Sequence, residues 1–229
     1  MFNLKAAPRA IVKAAEESAT LCIRAMEGET PELMIMDDIG EDFTGGISAI
    51  SVKEFLSNHK GSEVKARFNS FGGSAYEGVV MHNAFQEHGN VTAIVDGIAY
   101  SAASIAASGA KRLVMQEASD FGIHYSWTIA AGNAQNLRGA IEWLDSVDEK
   151  QIAVFMNRTG KDRETIEAWM KGTDDGTIFS ANEALEAGFA DEVIPLSNRS
   201  TERASKMAHG RIAAELKQKL IRSKKSLTR

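Results

Sequence analysis

The order of apolar and polar residues between positions 20 and 195 changes repeatedly between a strand-like and a helix-like period. Alternating or short apolar runs are typical of strands, whereas apolar residues three or four apart are typical of helices. Strands are predicted at residues 20–26, 32–36, 63–69, 91–95, 112–115, 121–126 and 191–195. Helices are predicted at residues 47–56, 75–88, 101–110, 133–158, 162–171 and 180–188. This alternation predicts an α/β domain.

Individual residues mark three of these helices. The first is predicted from the helical spacing of Ile47, Ile50 and Phe55. The last begins at a capping box at Ser180, in which Ser180 is followed three residues later by a glutamate. The long helix at 133–158 carries an apolar stripe, made of Ile141, Leu144, Val147, Ile152 and Phe155.

The chain has no internal boundary rich in proline, glycine and serine, so we expect one domain at 19–196 between two tails. Residues 1–18 are expected to form a loose N-terminal arm. Residues 197–229 contain ten Lys and Arg against two Glu, so this tail carries +8 and the remainder −13 of the net charge of −5. Ile212, Leu216 and Leu220 follow at i, i+4 and i+8, which predicts a basic amphipathic helix.

The sequence disfavours several classes of protein. The single cysteine, Cys22, excludes an internal disulfide framework and fits a reducing compartment. No secretory leader and no apolar run of the ~20 residues that span a bilayer are present, which predicts a cytoplasmic protein without a membrane partner. The chain contains no Gly-Lys-Ser/Thr phosphate loop and no His-Glu-x-x-His motif, so neither a nucleotide, another cofactor nor a metal is expected.

The first candidate for chemistry is Ser101. The predicted strand at 91–95 breaks at Asp96-Gly97 and continues into a run of small residues. Ser101 would then lie near the first turn of a buried helix, where unpaired N–H groups and the helix dipole suit a nucleophile that stabilises an oxyanion. The alternative is that the small residues serve only close packing.

A glycine-bearing loop at 69–74 lies between a strand and a helix. Gly72 and Gly73 allow backbone N–H groups to point into a cleft, as an oxyanion hole or an anion nest requires. A plain turn is the alternative.

His124 differs from the other four histidines because it lies in an alternating strand pattern that could border Ser101. A neutral imidazole on a rigid strand suits a general base. Asp174 and Asp175, in the loop before Ser180, are candidates for the third member of a triad. An Asp-Asp-Gly loop is otherwise a plain turn.

Together, these elements resemble the proteolytic subunit of Clp protease. They resemble more closely the Clp-protease-like head maturation (prohead) proteases of tailed bacteriophages, in serine peptidase family S14. The resemblance covers residues 32–195 and rests on the stretches at 34–42, 68–74, 95–104, 122–125 and 180–191. It implies a ClpP/crotonase-like spiral of repeated ββα units.

The resemblance also implies roles for individual residues. Ser101 would be the nucleophile and His124 the general base, and Asp175 or Asp174 would be the acid. The backbone N–H groups of Gly73 and Ala102 would form the oxyanion hole. The chain departs from the family pattern in two places: the aligned acid position falls on Gly176, and Phe71 replaces a common proline.

The predicted function is that of an ATP-independent serine endopeptidase that cleaves phage scaffold, coat or portal proteins during head maturation. It would act as a ring-like homo-oligomer in the host cytoplasm or inside the prohead. The alternatives are a bacterial Clp-type proteolytic subunit fed by a separate ATPase, a crotonase-fold acyl-CoA enzyme, and an inactive structural component. The basic tail is either a docking helix for an apolar groove with an acidic rim or a solvated end. Its lack of aromatic residues disfavours a nucleic-acid role.

Overall fold

A computed structural model describes residues 30–40, 46–173 and 175–196. The expected N-terminal arm, the strand predicted at 20–26, the basic tail at 197–229 and Asp174 all lie outside the described residues.

The described strands and helices alternate along most of the chain, as the sequence pattern predicts. The strands are β1 (Glu32–Ile35), β2 (Val64–Ser70), β3 (Val91–Tyr100), β4 (Arg112–Gln116), β5 (Asp120–Ile123), β6 (Thr177–Ser180) and β7 (Glu192–Ile194). The helices are α1 (Ala49–Asn58), α2 (Ala75–His88), α3 (Ala102–Ala107), α4 (Ala134–Thr159), α5 (Arg163–Lys171) and α6 (Ala181–Ala187).

The strands form one mostly parallel sheet. β1, β2, β3, β4 and β7 lie side by side in that order, and every pair is parallel. β5 runs parallel to the end of β3, and β6 pairs with β5 in the antiparallel direction. Alternate residues of β1 and β2 are fully buried, and α2 and α3 supply further core residues. The predicted α/β class is confirmed.

The expected break of the third strand at Asp96-Gly97 is wrong, because β3 continues through both residues to Tyr100. The register between β2 and β3 shifts at this point, so β3 carries a bulge. Gly97 leaves no room for a side chain beside Asn69, and the Arg67 guanidinium binds the Asp96 carboxylate. Beyond the bulge, β3 leaves β4 and pairs with β5. The glycine therefore marks a change of strand partner.

The strand predicted at 121–126 ends earlier, at Ile123. Neither neighbouring strand offers a partner beyond Ile123, since β3 ends opposite Gly122 and the first residue of β6 lies opposite Ile123. His124 consequently lies on the segment that follows the strand. The sequence pattern missed β6, which has only four residues and alternates poorly.

The helices lie close to their predicted positions, but in two of them the buried residues differ from the predicted apolar stripe. Ser180 begins α6 as a capping box, in which the Glu183 carboxylate accepts hydrogen bonds from the Ser180 N–H and hydroxyl. In α1, however, Ile50 is 70% exposed and the buried residues are Ala49, Val52, Phe55 and Leu56. In α4, Ile141 is 58% exposed, so only the second half of the apolar stripe enters the core.

None of the described helices is long and apolar enough to cross a membrane.

α2 and α3 pack at backbone contact. A Cβ atom added at Gly78 of α2 would lie 2.6 Å from the carbonyl oxygen of Ala102 in α3. Every residue of α3 is buried, and four of the six are alanine. Small residues on both helices therefore bring the start of α3 close to α2.

This contact predicts that Gly78→Ala destabilises the fold by about 1–3 kcal/mol, because the added methyl group must displace backbone. Without this contact, replacing glycine by alanine inside a helix would raise the free energy of unfolding by up to about 1 kcal/mol. The matched control is Gly139→Ala in α4, where an added Cβ meets nothing within 4 Å. We expect the control to raise the denaturation midpoint and Gly78→Ala to lower it. Equal midpoints for the two variants would contradict the close contact.

Candidate active site

Ser101 lies at the junction of β3 and α3 in a strained conformation. Its φ is 58°, and it is the only non-glycine residue with a positive φ among those that the structure describes. Such a conformation costs roughly 1–3 kcal/mol and persists only where surrounding contacts impose it. Here the Ser101 N–H donates to Gly122, and its carbonyl accepts from Ser104 and Ile105. A sharp strand-to-helix turn of this kind presents a serine hydroxyl outward.

The Gly72–Gly73 loop is held between this turn and the segment at Ile39. Gly72 accepts a 2.7 Å hydrogen bond from the Ile39 N–H, and Gly73 forms a bridge with Ile39. Both glycines have positive φ, at 102° and 139°. A Cβ on Gly72 would lie 2.6 Å from the Cβ of Ser101 and 2.8 Å from the nitrogen of Ala102. The loop and the serine turn are therefore in direct backbone contact.

Among the residues that the structure describes, two N–H groups next to this contact have no acceptor. Ala102 is the first residue of α3, so its N–H has no partner within the helix. The Gly73 N–H donates to no acceptor among the described residues. Unpaired donors of this kind are what an oxyanion hole uses.

His124 and Asp175 face each other at ion-pair distance. Nδ1 of His124 lies 3.9 Å from Oδ1 of Asp175, which is longer than a hydrogen bond. The histidine side chain is 5% exposed and the aspartate side chain is 77% exposed. Nδ1 is buried and has no hydrogen-bond partner among the described residues. The structure thus brings together two of the predicted residues without forming a bond between them.

Gly176 cannot carry the acid that its aligned position suggests. A Cβ there would lie 2.5 Å from Cβ of His124, and it would also overlap the carbonyl of Ile123. The backbone at Gly176 is packed against the histidine, and the carboxylate beside it belongs to the preceding residue, Asp175. The departure from the family pattern thus has a steric reason.

Sequence reasoning missed Tyr100. Its ring stacks on the His124 imidazole, with a centroid distance of 4.8 Å and an interplanar angle of 7°. Its hydroxyl donates to the backbone carbonyl of Asp175 at 3.2 Å. A side chain at Gly122 would overlap the Tyr100 ring. A glycine inside a strand often marks a place where another group approaches closely. Gly122 lies two residues before His124, so it was the sequence feature that could have indicated a close neighbour of the histidine.

A partly buried polar network also escaped the sequence analysis. Asp148 of α4 accepts a 2.8 Å hydrogen bond from the Ser126 N–H. Gln151, which is 3% exposed, donates to Ser126 Oγ at 2.7 Å and to Asp148 at 3.2 Å. The network ties the segment after His124 to the long helix.

The surroundings lower the pKa of His124. Burial is the largest cause, because it disfavours the charged imidazolium. The carboxylate of Asp175, the backbone at Tyr125 and the carboxylate of Asp148 oppose it in that order. The imidazole is therefore neutral near pH 7, as a general base must be.

No group of three or more His, Cys, Asp or Glu side chains in the described ranges could hold a metal ion.

Comparison with solved structures defines the class of fold. A ClpP1 mutant from Listeria monocytogenes superposes with a TM-score of 0.60 over 73% of this chain and 92% of that chain, at 19% sequence identity. The protein therefore has a ClpP-like α/β fold.

Comparison of sequences defines the family. The ATP-dependent Clp protease proteolytic subunit of Porphyromonas gingivalis is 28% identical over 158 residues, which are 67% of this chain and 69% of the relative. Residues 28–197 match the Clp protease family. The chain belongs to the Clp protease family, which makes it a member of a family of serine-type peptidases.

The lowered pKa of His124 predicts the acid limb of the pH profile. A general base must be neutral, so an enzyme that uses His124 in this role should lose kcat/KM as the pH decreases through the histidine pKa. That pKa lies below the ordinary value of about 6.5. Hydrolysis of a short fluorogenic peptide between pH 4.5 and 8 should therefore have an acid midpoint below 6.5. A midpoint at or above 6.5 would contradict the predicted neutral, buried base.

Proposed function

We propose that this protein is a serine endopeptidase in which Ser101 is the nucleophile, His124 the general base and Asp175 the residue that orients the base. The main support is the strained Ser101 turn, which lies against the Gly72–Gly73 loop. Its neighbour Tyr100 stacks on the buried, neutral His124. A serine held only for packing would not require a positive φ. The backbone N–H groups of Gly73 and Ala102 would form the oxyanion hole.

The proposed reaction follows from these roles. His124 takes the hydroxyl proton of Ser101 while Oγ attacks the carbonyl carbon of the peptide bond. The Gly73 and Ala102 N–H groups donate to the resulting oxyanion. The imidazolium then gives its proton to the leaving amine, which departs and leaves an acyl-enzyme. Water, deprotonated by His124, attacks the ester, and the carboxylate product leaves as Ser101 regains its proton.

Asp175 would complete the triad during the reaction. Its 3.9 Å distance from Nδ1 of His124 is long, but catalytic hydrogen bonds are often long before substrate binds. The imidazolium formed in the first step attracts the carboxylate more strongly than the neutral ring does. The exposed Asp175 side chain can turn toward it.

We further propose that the substrates are phage capsid-assembly proteins, namely scaffold, coat or portal, cleaved without ATP in the host cytoplasm or inside the prohead. This rests on the closer resemblance of the motif stretches to head maturation proteases. The basic tail of +8 supports it, because nearly all of this tail lies beyond residues 28–197, which match the Clp protease family. A second candidate is an ATPase-fed proteolytic subunit, since the P. gingivalis relative is described as ATP-dependent.

A ring-like homo-oligomer is part of the proposal, because cyclic symmetry sequesters a protease site. The first half of α4 supports it with large apolar side chains that remain exposed in the single chain, namely Leu137, Ile141 and Trp143. A closed ring would cover such side chains.

Ser101→Ala should abolish labelling by a fluorophosphonate probe and reduce peptide hydrolysis by at least about 10³-fold, since triad loss removes most of the catalysis. The matched control is Ser108→Ala. Ser108 is buried at the end of α3 and donates to the carbonyl of Ser104. We expect the control to retain labelling. Labelling of the Ser101→Ala protein would refute the nucleophile, and an unlabelled wild-type protein would favour an acyl-CoA enzyme or an inactive component.

The same pair of proteins tests the substrate. Wild-type protein, incubated with scaffold, coat and portal proteins in the absence of nucleotide, should produce fragments that mass spectrometry identifies and that the Ser101→Ala protein does not produce. Cleavage that appears only when a Clp-type ATPase and ATP are added would instead favour the second candidate.

Asp175→Asn should slow hydrolysis more than Asp174→Asn, because loss of the orienting carboxylate costs up to about 10⁴-fold in a triad. The two substitutions change neighbouring residues in the same way, so each serves as the control for the other. Near-normal rates in both single variants and in the double variant would show that the acid lies elsewhere.

A further inference from the structure

We propose that Tyr100 is a positioning residue that holds the His124 ring and the Asp175 backbone in fixed relation to the Ser101 turn. The inference rests on the proposed function, in which these three residues form the triad. Tyr100 contacts each of them in a different way: it is bonded covalently to Ser101, stacks on His124 and hydrogen-bonds to Asp175.

The stack constrains the imidazole plane. The two rings are within 7° of parallel at a centroid distance of 4.8 Å, so rotation of the imidazole about its Cβ–Cγ bond would drive it into the tyrosine. On the Asp175 side, Gly176 packs against Cβ of His124. The histidine side chain therefore lies between the Tyr100 ring and the backbone that precedes β6.

This constraint matters because hydrogen bonding at Nδ1 does not supply it. Nδ1 of His124 is buried and has no partner in the part of the chain that the structure describes, and Asp175 lies beyond hydrogen-bond distance. In a triad the acid normally fixes the orientation of the ring. In this protein the stacked tyrosine performs that task before substrate binds.

The tyrosine hydroxyl has a separate task. It donates to the main-chain carbonyl of Asp175 and not to the carboxylate. Burial and the Asp175 carboxylate raise the pKa of Tyr100, so the hydroxyl remains a donor across the working pH range. Tyr100 thus fixes the backbone of the acid residue while its side chain stays able to turn.

The space for the ring comes from Gly122. Any Cβ at that position would overlap the Tyr100 ring. Gly122 also accepts the hydrogen bond from the Ser101 N–H. One short stretch of β5 therefore supports both the serine turn and the stacked tyrosine.

Two variants separate the two tasks. Tyr100→Phe keeps the stacked ring and removes the hydrogen bond to Asp175, whereas Tyr100→Leu removes both. We expect kcat for a short peptide to fall about 3- to 10-fold in the first and about 30- to 100-fold in the second, since small misplacements of catalytic groups cost up to about 100-fold. KM should change little. Tyr76→Leu, at a half-exposed tyrosine near Trp143, is the control and should retain wild-type kcat.

The His124 pKa provides a readout that a general loss of stability would not move. The charged groups that face His124 are Asp175 from the loop before β6 and Asp148 from α4, and neither variant changes them. Tyr100→Leu exposes the imidazole to water, so its pKa should rise toward the ordinary value by about 0.5–1 unit. Tyr100→Phe should leave it unchanged. NMR titration of histidine-labelled protein measures this directly, with the His124 signal assigned from a His124→Gln variant.

The two measurements distinguish this inference from the proposed function. A rise in the His124 pKa in Tyr100→Leu alone, with the graded loss of kcat, supports the positioning role. An unmoved pKa in Tyr100→Leu, or unchanged kcat in both variants, overturns it even if the wild-type enzyme is active. Failure of the wild-type protein to react with the fluorophosphonate probe overturns the proposed function, and the NMR titration still decides whether Tyr100 controls the ring.

Discussion

Backbone-to-backbone contact at the start of α3 is the constraint on which the site depends. Gly72 approaches the Ser101 turn from one side, and Gly78 of α2 approaches Ala102 from another, each so closely that a methyl group would not fit. These contacts hold Ser101 at a positive φ that an isolated chain would leave. They also leave the first N–H of α3 beside the Gly72–Gly73 loop. The strained serine and the unpaired donors thus have one cause, which is close packing through glycine.

The bulge in β3 connects this corner to the histidine. Before Asp96 the strand pairs with β4, and after Gly97 it pairs with β5. The change of partner places Gly122 beside the end of β3, and His124 follows two residues later. The Arg67–Asp96 ion pair and the contact of Gly97 with Asn69 lie at the point of change. A feature that resembles a strand break in the sequence is therefore what brings the base into the neighbourhood of the serine.

The sequence predicted those features that depend on local chemistry. The capping box at Ser180, the end of α2 at Gly89 and the small-residue turn at Ser101 each depend on residues within a few positions, and all three are present. The continuation of β3 and the strand β6 depend on pairing with distant segments, so their local patterns were insufficient. The stacked Tyr100 and His124 are 24 positions apart, and Ser126 is 22 and 25 positions from its partners Asp148 and Gln151. Only the tertiary fold brings these residues together. No periodicity in the sequence contains that information.

The unpaired Nδ1 of His124 links stability to the proposed chemistry. A buried nitrogen without a partner costs about 1–3 kcal/mol, and burial of the ring further disfavours its protonation. A hydrogen bond from the Nδ1–H to the Asp175 carboxylate would offset both costs once the ring is protonated, because this nitrogen would then have a charged acceptor. The resting site therefore keeps the proposed base neutral, and the proposed reaction would itself create the condition under which the carboxylate binds. Tyr100 holds the Asp175 backbone through its hydrogen bond, while the Asp175 side chain, which is 77% exposed, can still turn. The carboxylate can therefore reach Nδ1 of His124 without movement of the loop.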